Sequence, residues 1–308
     1  MTLNMTVVLV SLVLLLTVLC KNTYGLLPPE EGEDIRKLEY AKLVAGLIPP
    51  HSLRAGLTLT CQYVDHAGHV TNNHVNPSIK ICITQHVSQT TLQKATTVIG
   101  LMVKNMPLDI FSSVANSGHG VGIFSSTAEK LTVFPEMSSL RDTPACQGKC
   151  PCQHTCTADN RKYDDLGGLT NALSAISMEH VMCIDRKTEN VLVHEFAHQI
   201  HNYLPTADRN RLNYVYNLAK QHHSWTTNTY AMSNVFEYWA VATQAYFGVT
   251  HRENNVAAGM DMCGPHLCGD EAANRAALKQ HDPGVYELLT KVYTNNQPST
   301  VSGLKVCQ

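Results

Sequence analysis

The period of hydrophobic and polar positions changes several times along the chain, and the changes mark out its elements. Val7 to Cys20 is an almost unbroken apolar run. Ile35 to Leu47 has the spacing of a short helix stopped by Pro49-Pro50. Leu57 to Cys61 and Ile79 to Ile83 alternate in strand fashion, so Cys61 and Cys82 are positioned to staple two neighbouring strands. Gln89 to Met106 returns to helical period, with Leu92, Val98, Leu101 and Met102 as core positions and Pro107 as the stop. Gly120 to Phe124 and Lys130 to Phe134 read as short strands. Leu166-Gly167-Gly168 and Asp185-Arg186-Lys187 are turn chemistry around the segment 172–184, which leads Cys183 towards the next element. That element, Thr188 to His201, is an apolar-periodic run with no Gly or Pro before Pro205. A second apolar helix follows from Ser233 or Asn234 and is closed by Gly248. Strands first and helices later predict an α+β chain: a small mixed sheet packed on a central helix, then a mostly helical C-terminal part.

Length and composition bound this picture. The 308 residues fit one large domain or two small ones. The pattern divides them into a leader over 1–25, an N-terminal α/β supporting part over 26–140 and a second part over 141–308. A formal net charge of −2 with 16% charged residues offers no basic field for nucleic acid. The apolar run before Lys21 is short for a membrane span and reads as a secretory signal cleaved after Gly25, although its first residues lack Lys or Arg. No later stretch is apolar enough to span a bilayer, so the mature chain is expected to be secreted, extracellular and without stable membrane association. Of 11 cysteines, removing Cys20 leaves ten, an even set that suggests a disulfide framework. Cys146, Cys150, Cys152 and Cys156, with His154 among them, have two readings, a second zinc site or a disulfide-tied loop. Secretion favours the loop.

The chemistry concentrates in the run from Thr188. His194 and His198 lie one turn apart on one helix face, where two imidazoles reach a single metal ion. Glu195 between them is placed to act as general base for a metal-bound water, the arrangement of a zinc peptidase. The bland alternative is a set of ordinary polar residues on a surface helix, since the chain holds 16 histidines. A catalytic zinc needs a third protein ligand. The extended pattern His-Glu-x-x-His-x-x-Gly-x-x-His is excluded, because this chain has His201 and Leu204 where Gly and His are required. A Glu on the later helix is the other route, and Glu237 lies there in a broad apolar surface. Its bland account is a capping box in which Glu237 answers Asn234. His222 and His223 are the reserve candidates.

Val193-His194-Glu195-Phe196-Ala197-His198-Gln199, followed 39 residues after His198 by Glu237-Tyr238-Trp239-Ala240-Val241, resembles the gluzincin metallopeptidases. The form is that of the glucose-regulated metallopeptidases and the lethal-factor-like catalytic domains. The likeness covers about residues 165–250, and the first 140 residues carry no matching motif. It implies a zincin-like fold, one catalytic Zn2+ held by His194, His198 and Glu237, Glu195 as base, and a peptide or protein substrate. It also implies that Tyr230, seven residues before Glu237, donates a hydrogen bond to the developing oxyanion. The chain departs from the pattern at His201 and Val241, where those families often carry an acid that orients a ligand imidazole. His201, two turns from His194 on the same face, is therefore expected to support a ligand, ahead of facing substrate or solvent. The function implied is hydrolysis of peptide bonds by a zinc metallopeptidase. The rival reading is a secreted, non-catalytic matrix or binding protein that keeps the fold.

Overall fold

Cys61 and Cys82 sit directly opposite each other on two antiparallel strands and are joined by a disulfide with an S–S distance of 2.04 Å. The strands are β1 (Leu59–Val64) and β3 (Ile79–Thr84), and the short β2 (Val70–Thr71) extends the sheet beyond β1. The computed structural model describes residues 57–142, 156–157, 161–184, 188–251, 260, 262–263 and 266–308, all within the unit Ile48–Gln308. The leader, the helix expected over 35–47, the turn at 185–187 and the cysteine-rich loop apart from Cys156 lie outside these residues. Cys156 is disulfide-bonded.

The sheet is mixed and six-stranded, in the order β2-β1-β3-β4-β6-β5, with β4 (Val121–Phe124), β5 (Gly168–Thr170) and β6 (Ser174–Ser177). β3, β4 and β6 run parallel, and β5 is an antiparallel edge strand on β6. Parallel β3 and β4 require a crossover. It is supplied by α1 (Gln89–Val103), capped by the Ser88 side chain, and α2 (Leu108–Ala115). Pro107 does not stop α1, which ends about a turn earlier. It stands instead at the start of α2, where its missing N–H costs nothing.

β4 is buried on both faces. Ile123 joins the main core with α1 and the later helices, and Phe124 joins a smaller cluster with Leu131, Phe134, Met137, Leu140 and Leu173. That second cluster explains a correction. Lys130–Phe134 is not a strand but contains a 3₁₀ turn, Leu131–Val133, followed by another at Pro135–Leu140. Leu131 and Phe134 are three apart and both buried, the spacing at which 3₁₀ side chains align, and Pro135 cannot continue a strand ladder.

Beyond the short α3 (Met178–Val181), α4 (Val191–Asn202) packs on β5 and β6. It begins three residues after Thr188, because the Asn190 side chain accepts from Val193 N–H and fixes the cap there. The chain continues through α5 (Thr206–Gln221), α6 (Val235–Phe247), α7 (Glu271–His281) and α8 (Pro283–Thr294). α6 carries the fully buried Tyr238 and Trp239 and ends on Gly248 at φ 65°, a left-handed cap that favours glycine. Cys183 is joined to Cys307 and Cys263 to Cys268. Among the described residues no helix is long and apolar enough to cross a membrane.

Candidate metal centre

α4 and α6 cross so that one face of each meets the other. Trp239 Nε1 donates to the Ala197 carbonyl across the crossing at 3.0 Å. At the same crossing the structure brings together His194, His198 and Glu237. His194 Nε2 is 3.0 Å from Glu237 Oε2 and 3.1 Å from His198 Nε2, and His198 Nε2 is 3.5 Å from the same carboxylate oxygen. Three ligands at about 2.0–2.1 Å from a tetrahedral ion stand about 3.3 Å from one another. The observed separations have that size, so the two imidazoles and the carboxylate form one face of a tetrahedron that could hold a zinc ion. Among the described residues this is the group of His, Cys, Asp and Glu side chains arranged to do so.

The capping-box account of Glu237 is half right. Asn234 caps α6 through Phe236 and Glu237 N–H, but the Glu237 carboxylate is turned to the histidines. Burial opposes a charge on it, yet the charge on His198 and hydrogen bonds from both imidazoles hold its pKa well below the carboxylate range. For His194 burial likewise opposes charge, and the Glu237 hydrogen bond with the Glu237, Glu195 and Glu189 carboxylates raises its pKa to about 9.

Glu195 is buried beside β5. Burial raises its pKa, against the lowering influence of His194, His198 and a hydrogen bond from Thr170. The Thr170 hydroxyl lies 2.9 Å from Glu195 Oε2 and 2.7 Å from the Glu195 carbonyl. Gly168 on the same strand passes so close that a Cβ there would stand 2.8 Å from Glu195 Oε1. Absence of a side chain at 168 is what lets the carboxylate sit against the sheet edge.

Tyr230 lies on the loop between α5 and α6, its ring stacked on His194 at 5.9 Å between centroids and its hydroxyl hydrogen-bonded to Glu237. Burial and the Glu237 and Glu195 charges push its pKa far above the ordinary phenol value, so it remains a proton donor. The loop is tied at both ends. Tyr216 donates to the Met232 carbonyl, and Trp225 Nε1 donates to Asp282, which also accepts from Tyr238.

His201 departs from expectation. It is buried against Phe236 and Trp239, with Nδ1 lacking a hydrogen-bond partner. Burial, with the charges of His198 and Arg209, lowers its pKa to about 3. It is a neutral packing residue and makes no hydrogen bond to His194 or His198. Val241 is likewise core. His222 and His223 are exposed beyond α5, outside the His-His-Glu group. The partner of a candidate ligand imidazole is Gln244, whose Oε1 stands 3.2 Å from His194 Nδ1. Sequence reasoning missed it, although a Gln seven residues after Glu237 in an apolar helix shares that residue's face.

No known protein family matches this chain, and no curated protein matches it significantly. Among solved structures it is similar to the Pro-Pro endopeptidase PPEP-2 from Paenibacillus alvei, over 68% of this chain and 96% of that one, at 15% identity and a TM-score of 0.40. A likeness of that size carries no argument about either fold or activity.

Proposed function

We propose that the protein is a secreted zinc-dependent metallopeptidase of gluzincin type. The observation that carries the reading is the mutual spacing of His194 Nε2, His198 Nε2 and Glu237 Oε2, with a buried glutamate beside them. A zinc ion held there would act as Lewis acid on a scissile carbonyl and lower the pKa of water from 15.7 towards about 7. Glu195 takes the proton of the attacking water and passes it to the leaving amine. Its raised pKa suits both halves of that exchange, and Thr170 fixes one carboxylate oxygen while leaving the other to work. Tyr230, kept protonated, donates to the oxyanion as the carbonyl becomes tetrahedral.

The sheet edge supports a peptide as substrate. Ser177 N–H bonds to the Gly167 carbonyl, and Leu169 pairs with Ala175, so the backbone groups of Gly168 and Thr170 face away from β6. An extended peptide adding there as a further strand would lie beside Glu195. Secretion is supported by the disulfides, which persist in oxidising compartments.

The test is elemental analysis of purified protein together with casein or peptide-library digestion, with and without a chelator. One zinc per chain is expected, with cleavage abolished by chelation and by Glu195→Gln, which keeps its zinc. Protein without zinc sinks the reading. Protein with zinc but no cleavage on any library leaves the non-catalytic binding protein in its place.

A further inference from the structure

The Gln244 amide is buried and fully committed. Nε2 lies 3.1 Å from the Asn190 carbonyl and 3.4 Å from Glu189 Oε2, and Oε1 lies 3.2 Å from His194 Nδ1. Turning the amide over would set Oε1 against two acceptors, a carbonyl and a carboxylate. That arrangement has no hydrogen to share and is excluded inside a protein. Oε1 therefore faces His194, and Nδ1 of that ring must carry the proton. Nε2, the atom on the Glu237 side, is then the nitrogen that would exchange its Glu237 hydrogen bond for an ion.

We infer that Gln244 is a positioning residue: clamped by Asn190 and Glu189, it accepts the Nδ1–H of His194 and so fixes both the tautomer and the plane of that imidazole. The inference rests on the metal-site reading above and deepens it. Three features make the clamp more than a packing detail. Asn190 is at once the cap of α4 and, through its backbone carbonyl, an acceptor for Gln244, so the helix start and the brace share one residue. Asn190 Nδ2 donates to the Lys305 carbonyl, two residues from the Cys307 that is bonded to Cys183. The carboxylate that would commonly face a ligand imidazole is present as Glu189, but one residue further back. Gln244 relays its hydrogen bonding without placing its charge on the ring.

The competing account is that Gln244 merely ties α6 to α4 by donating to the Asn190 carbonyl. Two measurements separate the accounts on the full-length protein. The first is the histidine ring NMR spectrum of the protein as purified. A slowly exchanging Nδ1–H on His194 is expected in the wild type and should be lost in Gln244→Met. An unprotonated Nδ1, or a proton indifferent to the substitution, overturns the inference. The second is zinc affinity by competition with a chelator. Gln244→Met should bind about 10–100-fold more weakly, the usual consequence of removing a partner of a ligand histidine. The exchange Glu189→Gln with Gln244→Glu keeps the net charge and restores an acceptor for Nδ1–H, but it takes from the Asn190 carbonyl its side-chain donor and leaves only the His194 backbone N–H. Recovery of zinc affinity in the exchanged protein supports positioning. Affinity as weak as in Gln244→Met makes the role structural and overturns it. A wild type that binds no zinc removes the metal-site reading, while the NMR measurement still decides the role of Gln244.

Discussion

Gly168 and His201 show how differently single residues around one site depend on their surroundings. A methyl group at 168 would stand 2.8 Å from Glu195 Oε1 and 3.1 Å from its Cγ, so Gly168→Ala must push the carboxylate away from the edge strand. Turnover should drop by at least about tenfold with zinc content unchanged, because small misplacements of a reacting group are costly; kcat on a peptide and elemental analysis check it. His201 offers a pH prediction. Below pH 6.5 the unfolded chain takes up a proton that the folded protein refuses until about pH 3, so stability is complete above 6.5 and is lost as pH falls through that window. The slope is at most about 1.4 kcal/mol per pH unit. His201→Leu should flatten the dependence of Tm on pH between 7 and 5 relative to the wild type; equal slopes would show that the ring titrates freely. The two histidines and Glu195 were legible because helical period alone puts them on one face. Gln244 was not, since its role exists only where α6 crosses Asn190 and Glu189.

The helices were read better than the strands, and the reason lies in their ends. Asn234 and Gly248 announce α6 through cap chemistry that acts within a few residues, whereas the cap at Asn190, unread in the sequence, starts α4 three residues inside the run expected from Thr188. Asn234 accepts from both Phe236 and Glu237 N–H, so it also sets the turn from which the candidate third ligand projects. Asn234→Ala should cost about 1 kcal/mol of stability, read from the midpoint of chemical denaturation, and should weaken zinc binding as that turn frays. Lys130–Phe134 misled because alternation and a three-residue spacing coincide over five residues. The core on the far side of the sheet decided between them, and that core is a tertiary fact.

Across the whole molecule, strand order was hidden from sequence, because the crossovers that place β4 between β3 and β6 leave no local mark. The Cys61–Cys82 bridge was foreseeable, whereas Cys183–Cys307 joins residues 124 apart. Replacing Cys183 and Cys307 together by serine releases that long loop and should remove about 2–5 kcal/mol, measured by denaturant unfolding of the oxidised protein. The chain holds two tryptophans, and both indole N–H groups are bound at the site's margins. Trp225 is fastened to Asp282 at the foot of the Tyr230 loop, and Trp239 to Ala197 where α4 and α6 cross. The protein thereby carries its own optical reporters. Unlabelled emission spectra would register an ion or an inhibitor arriving, with single Trp-to-Phe variants telling movement of the loop from movement of the helix.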